Sequence, residues 1–213
     1  MKKTLYLWDL ADTLFYEQWN AKRTGFPSYD AWVEAHFKRP LVQISDREYE
    51  EAYKVPYKEG WYFQLDAQPG FQEVLEFAKE NAIFTTGLPI QLEWRAQYLN
   101  PKVGFRIQDF FKIIHSTFDY GETNKKEQRM LTDILRKVHT QGYNTIVYTD
   151  DKEKNCKFFL KAAQQLAQEG MQLNVRVYWV RNDHGGLRIH DKRFAEIGNL
   201  FELKQHEEEL VNL

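Results

Sequence analysis

Acidic and hydroxyl side chains recur along the chain at points where short apolar runs end. Asp9 follows the first run, Thr85 and Thr86 follow the second, and Asp150 and Asp151 follow a later one. A carboxylate can attack phosphorus or hold a hard cation, and a threonine hydroxyl can bind phosphate oxygens. These residue types indicate phosphoryl chemistry with a divalent metal, provided that the fold brings them together.

A pair of lysines, Lys125 and Lys126, stands just before a strongly amphipathic stretch and could neutralise phosphate oxygens. Each of these signals also has an ordinary structural explanation. Asp9 could simply open a turn, the lysines could be a solvated helix end, and Asp150 with Asp151 could cap a helix. Their order along the chain, each at the end of an element, is what favours a shared site.

The elements that would position these residues follow from the hydrophobic pattern. Short apolar runs that end at polar residues alternate with helical patterns. The runs predict strands at residues 5–8, 82–84, 111–115, 145–149 and 175–180, a turn-rich loop at 181–186, a short last strand at 200–203, and a terminal helix at 206–211. This alternation predicts an α/β fold with a mainly parallel sheet, whose carboxyl edge would hold the polar residues.

Two carboxylates at that edge, Asp9 and Asp151, would repel each other unless a cation lay between them. Mg²⁺ is the natural candidate, since it takes oxygen ligands and is commonly held by one or two carboxylates together with phosphate. The sequence therefore predicts Mg²⁺ as cofactor.

Residues 16–66 interrupt the alternation. This segment is rich in aromatic residues, and Ser45 with Glu48 has the form of a helix capping box. We predict a small helical insert at 16–66, with the main domain formed by 1–15 and 67–213. The aromatic side chains either pack a core of their own or line a pocket facing Asp9.

Composition limits the class of protein. The 213 residues suit one domain with a small insert, and the net charge of -2 gives no reason to expect nucleic acid or an anionic membrane as partner. No apolar run approaches the roughly 20 residues of a membrane span, and the start of the chain lacks a signal-peptide pattern. Cys156 is the only cysteine, so no disulfide framework is expected. We expect a cytoplasmic protein.

Taken in order, the motifs resemble those of the haloacid dehalogenase (HAD) superfamily of hydrolases. The opening Asp9-Leu-Ala-Asp-Thr, the threonines after the second strand, a lysine at a helix start and the Asp150-Asp151 pair all have counterparts there. Lys125 is the better fit to the lysine position and Lys126 the second choice. The resemblance implies a three-layer Rossmann-like fold with a mainly parallel sheet, and the insert resembles the small helical cap of that family.

The resemblance also implies roles for individual residues. Asp9 would be the nucleophile that forms an aspartyl-phosphate, and Lys125 would neutralise it and the phosphoryl group. Thr85, with Thr86 and backbone N–H groups, would bind the phosphate. The implied Mg²⁺ ligands are Asp9, the backbone carbonyl of Ala11, Asp151 and Asp150, while Asn155 would contact the metal through water or orient Asp151.

One position departs from the family pattern. The second aspartate of the opening motif, which protonates the leaving group and later activates water, is replaced by Ala11. General acid–base catalysis contributes roughly 10²–10⁴-fold, so ordinary ester hydrolysis should be slow unless another group, such as Asp12, takes over the role.

Three hypotheses about function remain open. The first is a Mg²⁺-dependent phosphatase of a small phosphorylated metabolite, with a substituted or substrate-supplied acid. The second is a phosphonatase-like hydrolase of a carbon–phosphorus bond, which would need a cap lysine to form a Schiff base. The candidates for that lysine are Lys22, Lys38, Lys54 and Lys58. The third is a non-catalytic HAD-like protein that binds a ligand or a protein.

Overall fold

The computed structural model describes residues 3–182 and 185–211 of the chain. The strands in these residues are β1 (Lys3–Trp8), β2 (Phe15–Trp19), β3 (Tyr62–Ala67), β4 (Asn81–Thr85), β5 (Phe111–Ser116), β6 (Tyr143–Asp150), β7 (Asn174–Val180), β8 (Arg188–Asp191) and β9 (Phe194–Ile197). Seven of them form one sheet in the order β5-β4-β1-β6-β7-β9-β8, and all neighbouring pairs are parallel except the last. The other two, β2 and β3, form a separate hairpin.

Helices cover both faces of this sheet. The helices are α1 (Ala21–Thr24), α2 (Tyr29–Phe37), α3 (Asp46–Ala52), α4 (Lys54–Glu59), α5 (Phe71–Phe77), α6 (Ile90–Val103), α7 (Gln128–Thr140), α8 (Glu153–Gln168) and α9 (Leu200–Val211). Side chains from α5, α6 and α9 pack in one core cluster, and those from α7 and α8 pack in another. The result is a three-layer α/β architecture, which confirms the fold class that the sequence predicts.

The central strand β1 shows why the sheet must be buried on both sides. Successive side chains of a strand point to opposite faces. Tyr6 and Trp8 accordingly belong to the core shared with α5, α6 and α9, whereas Leu5 and Leu7 belong to the core shared with α7 and α8. All four are at most 5% exposed, so this apolar run can only be an interior strand.

The end of the chain differs from the sequence prediction. The short strand expected at 200–203 is wrong, because these residues begin the helix α9, in which Leu200 and Leu203 lie on one face and are fully buried. Three-residue spacing of apolar side chains suits a helix, and a run of four residues could not separate the two states. The sequence prediction also missed the β8–β9 hairpin, and two residues of the predicted loop at 181–186 lie outside the described residues.

The segment that interrupts the alternation stands outside the main sheet. β2 and β3 pair with each other in an antiparallel hairpin, and α1 to α4 lie between them. Tyr29, Trp32 and Val33 form a separate small core there with Ile44 and Ala52. The segment is therefore helical with a hairpin at its base, and we keep 16–66 as the proposed cap boundaries. In the described part of the chain no helix has the length and apolar character to cross a membrane.

Candidate active site

The carboxyl ends of β1, β4 and β6 meet at one edge of the sheet. Trp8 is in register with Ile83 of β4 and Thr149 of β6, so Asp9 emerges between the two neighbouring strand ends. The backbone N–H of Asp9 donates to the Thr149 carbonyl at 2.9 Å, which fixes the start of the loop. Above this edge lies a cavity of about 480 Å³. Its lining includes Asp9, Ala11, Thr85, Thr86 and Asp151, as the sequence predicts for residues of one site.

Lys126, and not Lys125, is the lysine of this site. The Lys126 ammonium lies 2.6 Å from Asp9 Oδ1 and 2.8 Å from Asp150 Oδ2, and the residue is only 4% exposed. Lys125, which the motif fit favoured, is exposed on the surface. Both residues belong to the loop before α7, where a difference of one residue turns the side chain from solvent to the sheet edge. The preference for Lys125 was therefore wrong.

The Asp150 carboxylate is saturated by donors from the protein. Its Oδ1 accepts from the Lys152 backbone N–H at 2.8 Å and from Asn155 at 3.0 Å. Its Oδ2 accepts from the Tyr148 hydroxyl at 2.6 Å and from Lys126 at 2.8 Å. Asp150 is fully buried and does not line the cavity, so it holds Lys126 in place and has little capacity left for a further ligand.

Asn155 supports Asp150, whereas the resemblance implies that it contacts the metal through water or orients Asp151. It sits in the first turn of α8, and its amide donates to both Asp150 oxygens at 3.0 and 3.1 Å. Asp151 is half-buried and lines the cavity beside Asp9. The two adjacent acids thus have separate surroundings, which the sequence alone could not distinguish.

The carboxylates of this site repel one another. Oxygens of Asp9, Asp150 and Asp151 all lie within 4.8 Å of one another. Burial and the two neighbouring carboxylates raise the pKa of Asp151 from 3.8 to about 8. Burial also raises the pKa of Asp9, although Lys126 opposes the change, and the two nearby acids raise the pKa of Lys126 against its burial. A divalent cation between Asp9 and Asp151 would relieve this repulsion.

The loop after β1 has an unusual backbone at Asp12. Its φ is 55°, a left-handed conformation in which Asp is tolerated better than most residues. The Asp12 carbonyl accepts from Gln68 at 3.2 Å and from Asn182 at 2.9 Å, so the turn is held from two sides. Ala11 lines the cavity where the family has its acid, and Asp12 lines it too. Burial, with Glu17 nearby, raises the pKa of Asp12.

The loop after β4 is fixed by residues that the sequence reasoning missed. Thr85 Oγ1 accepts from the Gly87 backbone N–H at 3.1 Å. From the end of β5, Ser116 donates to the Gly87 carbonyl at 2.8 Å and Thr117 donates to the Thr86 carbonyl at 3.1 Å. The hydroxyl residues after the third predicted strand were a signal for this role, because parallel strands end at the same edge.

The far wall of the cavity is a buried polar network between the insert and the main domain. Arg95 of α6 forms an ion pair with Glu17 of β2, and their side chains are 5% and 8% exposed. Gln91 accepts from Arg95 at 3.2 Å and donates to the Glu50 carboxylate of α3 at 2.8 Å. Asn124 donates to the other Glu50 oxygen at 3.3 Å. Sequence spacing gave no sign of these contacts.

The aromatic residues of the insert serve both purposes that the sequence left open. Tyr29 belongs to the small core of the insert and also lines the cavity. Trp19, Tyr49 and Tyr53 pack against that core and line the cavity as well. Aromatic rings therefore form one side of the space that faces Asp9.

Comparison with known proteins gives a match for the fold. No protein-family model and no curated protein matches the chain. Solved structures of a HAD family enzyme do match it over nearly the whole length, so the chain has the HAD fold that its motifs resemble.

That enzyme is BT-2542 of Bacteroides thetaiotaomicron. Its magnesium complex is 15% identical to the chain, with 86% of this chain and 95% of that chain covered and a TM-score of 0.52. An aspartate-to-alanine variant of it, in complex with magnesium and inorganic phosphate, is 14% identical, with 87% and 97% covered and a TM-score of 0.51. At such low identity the similarity concerns the fold, and the chemistry of this chain must be argued from its own residues.

Proposed function

We propose that the protein is a Mg²⁺-dependent phosphatase of the HAD type, which acts on a small phosphorylated molecule through an aspartyl-phosphate. The observation that carries the proposal is Asp9 at the end of the central strand, bound to the buried Lys126 and facing a cavity beside Asp151. The proposed domains are a main domain at 1–15 and 67–213 and a cap at 16–66. The magnesium and phosphate complexes of the enzyme from Bacteroides thetaiotaomicron support the same chemistry.

Asp9, Asp151 and the Ala11 carbonyl are the proposed metal ligands. The oxygens of the acid cluster are close enough to bind one ion. The raised pKa of Asp151 reflects burial and repulsion by Asp9 and Asp150, which a bound cation would offset. Asp150 is reassigned from ligand to the residue that positions Lys126, because protein donors occupy both of its oxygens. When bound, Mg²⁺ would polarise the phosphoryl group and offset the charge of the acids.

Asp9 would attack the phosphorus atom. The new bond joins a carboxylate oxygen to phosphorus as the bond from phosphorus to the leaving oxygen breaks, and the leaving group departs with the bonding electrons. Water then attacks the same phosphorus, the aspartyl–phosphate bond breaks, and inorganic phosphate leaves. Over the whole cycle one proton of a water molecule ends on the leaving oxygen and the other stays on inorganic phosphate. Lys126 stabilises the negative charge throughout, and Thr85, Thr86 and nearby backbone N–H groups hold the phosphoryl oxygens.

Ala11 decides which leaving groups can react. It carries no proton for the leaving oxygen, so departure as an anion is fastest when that oxygen is already a weak base, as in aryl and acyl phosphates. Asp12 lines the cavity and its pKa is raised, but its side chain belongs to the following position in a left-handed turn. We therefore propose that activated phosphates are the better substrates.

The phosphonatase alternative loses support from the placement of the cap lysines. The four candidate lysines, Lys22, Lys38, Lys54 and Lys58, are exposed and are not part of the described cavity lining. A Schiff base needs an amine inside the cavity. The non-catalytic alternative is a binding protein that uses the same cavity, and only activity measurements separate it from the phosphatase.

The test is hydrolysis of aryl, acyl and alkyl phosphates with and without Mg²⁺. We expect Mg²⁺-dependent cleavage of aryl and acyl phosphates and weak cleavage of alkyl phosphates. Asp9→Asn should abolish turnover because it removes the nucleophile, and Ala11→Asp should raise alkyl-ester turnover by roughly 10²–10⁴-fold.

Two results would change the proposal. If wild type and Ala11→Asp are both inert toward all of these phosphates while folded, the protein is a binding protein. If wild type already hydrolyses alkyl phosphates well, another residue supplies the proton, and Asp12→Ala is the variant to measure next.

A further inference from the structure

The cavity lining combines two chemically different surfaces. The sheet edge contributes the proposed phosphoryl-binding residues, and the insert contributes aromatic rings together with Glu50. A cavity of about 480 Å³ is large enough for a phosphate group and a leaving group of moderate size. In the phosphatase proposed above, the leaving group must therefore lie against the insert, whose side chains decide what it can be.

The charges of the cavity lining favour a cation. Apart from Asp9 and Asp151, the lining contains three acids, Asp12, Glu17 and Glu50, and two cations, Arg95 and Lys152. Arg95 is paired with Glu17, and Lys152 has an exposed side chain near the metal site.

Glu50 is the acid of this set whose surroundings are least ionic. The residue is 6% exposed, and the contacts of its two oxygens within the described chain are to the side-chain amides of Gln91 and Asn124. Amides orient a carboxylate without cancelling its charge, so the Glu50 carboxylate can attract a positive group in the cavity. A carboxylate or a second phosphate on the leaving group would instead be repelled.

The rings next to Glu50 fit the same kind of group. Tyr49 is on the same helix as Glu50, and Tyr53 directly follows that helix. Tyr29 stacks on Tyr53 with ring centroids 3.9 Å apart, and Trp19 lies against Tyr29 at 5.8 Å. The hydroxyl of Tyr29 donates to a backbone carbonyl and the indole N–H of Trp19 does the same, so their polar atoms are turned to the protein. A wall of ring surface beside a carboxylate is the arrangement that binds alkylammonium groups.

We propose that the leaving group carries an ammonium group, protonated or quaternary, which binds between Glu50 and the aromatic wall of Trp19, Tyr29, Tyr49 and Tyr53 while the phosphate binds at Asp9. The proposal rests on the proposed phosphatase function and names its substrate class as phosphomonoesters of amine-bearing alcohols or phenols. Glu50 is then the residue that determines specificity.

The test compares two aryl phosphates of the same shape. One carries a para trimethylammoniomethyl group and the other carries the neutral para neopentyl group, so that the charge differs while the size is matched. The cationic substituent also makes its phenol the better leaving group, so the measured quantity is the change in the kcat/KM ratio of the two esters between wild type and variant. We expect Glu50→Gln to lower the ratio about tenfold, which corresponds to about 1.4 kcal/mol. Glu51→Gln, an exposed neighbour on the same helix, should leave the ratio as in wild type.

Equal or better cleavage of the neutral ester by wild type would overturn the inference, and so would an undiminished ratio in Glu50→Gln. Such a result leaves the phosphatase function standing, because turnover is still observed. If neither ester is cleaved, the phosphatase proposal fails separately, and calorimetry with the two corresponding phenols decides the inference. Tighter binding of the cationic phenol that Glu50→Gln removes supports it, and binding no tighter than that of the neutral phenol refutes it.

Discussion

Replacing Asp151 by Asn should stabilise the protein when no metal is present. Burial, Asp9 and Asp150 raise the pKa of Asp151 from 3.8 to about 8. The folded protein therefore keeps a proton that the unfolded chain loses, and stability falls as the pH rises from about 4 to about 8. An amide at this position carries no charge and removes this loss.

The size of the effect follows from the shift. Between the unfolded pKa of 3.8 and pH 7 lie about three pH units, and at about 1.4 kcal/mol each they would give about 4 kcal/mol at pH 7. Because Asp151 is half-buried and solvent screens its charge, we halve this value and expect Asp151→Asn to be about 2 kcal/mol more stable at pH 7 and less than about 1 kcal/mol more stable at pH 5.

The assay is urea unfolding in EDTA at pH 5, 6, 7 and 8, followed by tryptophan fluorescence. Asp109→Asn, at an exposed aspartate, is the matched control and should change stability little at any of these pH values. Added Mg²⁺ should stabilise wild type and leave Asp151→Asn nearly unchanged, since ligand binding to the folded state alone raises stability. If Asp151→Asn is no more stable than wild type at pH 7, or if its advantage does not grow with pH, the electrostatic reasoning is wrong.

Three further variants test the surroundings of the site. Lys126→Met should lower turnover of an aryl phosphate by about 10²–10³-fold through the loss of a preorganised positive charge, while Lys125→Met should retain wild-type turnover in the same steady-state assay. Asn155→Ala should lower turnover of the aryl phosphate at saturating Mg²⁺ by about tenfold, because Asp150 loses the amide that orients it and holds Lys126 less firmly; unchanged turnover would contradict this. Arg95→Met should lower the free energy of unfolding, measured with urea, by about 3–5 kcal/mol, since it leaves Glu17 buried without its cation. The double variant with Glu17→Met should recover much of that loss.

The sequence predicted the sheet edge well because the relevant signal is local. Each strand of the site is a short apolar run that ends at a candidate site residue, as at Trp8–Asp9 and at Thr149–Asp150, and parallel pairing then brings those ends together. The chemistry inferred from the residue types at the strand ends stays a prediction.

Other features depend on geometry that spacing does not encode. The choice between Lys125 and Lys126 depends on the direction of one loop residue before α7. The roles of Asp150 and Asp151 can be distinguished only from the structure, in which Tyr148 and Asn155 donate hydrogen bonds to Asp150.

The contacts in the far wall of the cavity could not be predicted from the sequence for a different reason. Glu17 and Arg95 are separated by 78 residues in the chain, so no local pattern connects them. The same holds for Glu50 and Gln91, which are 41 residues apart. Polar residues that pair only after folding appear in the sequence as ordinary surface residues.

The buried pair of Glu17 and Arg95 also limits how molecules reach Asp9. Opening the cap as a rigid lid would separate these two charges and pull Gln91 from Glu50, and breaking such buried contacts costs several kcal/mol. Small molecules that pass through the open side of the cavity avoid that cost. For the proposed phosphatase, we therefore expect that free small phosphates reach Asp9, whereas a phosphate carried on a folded protein or on a nucleic-acid strand does not.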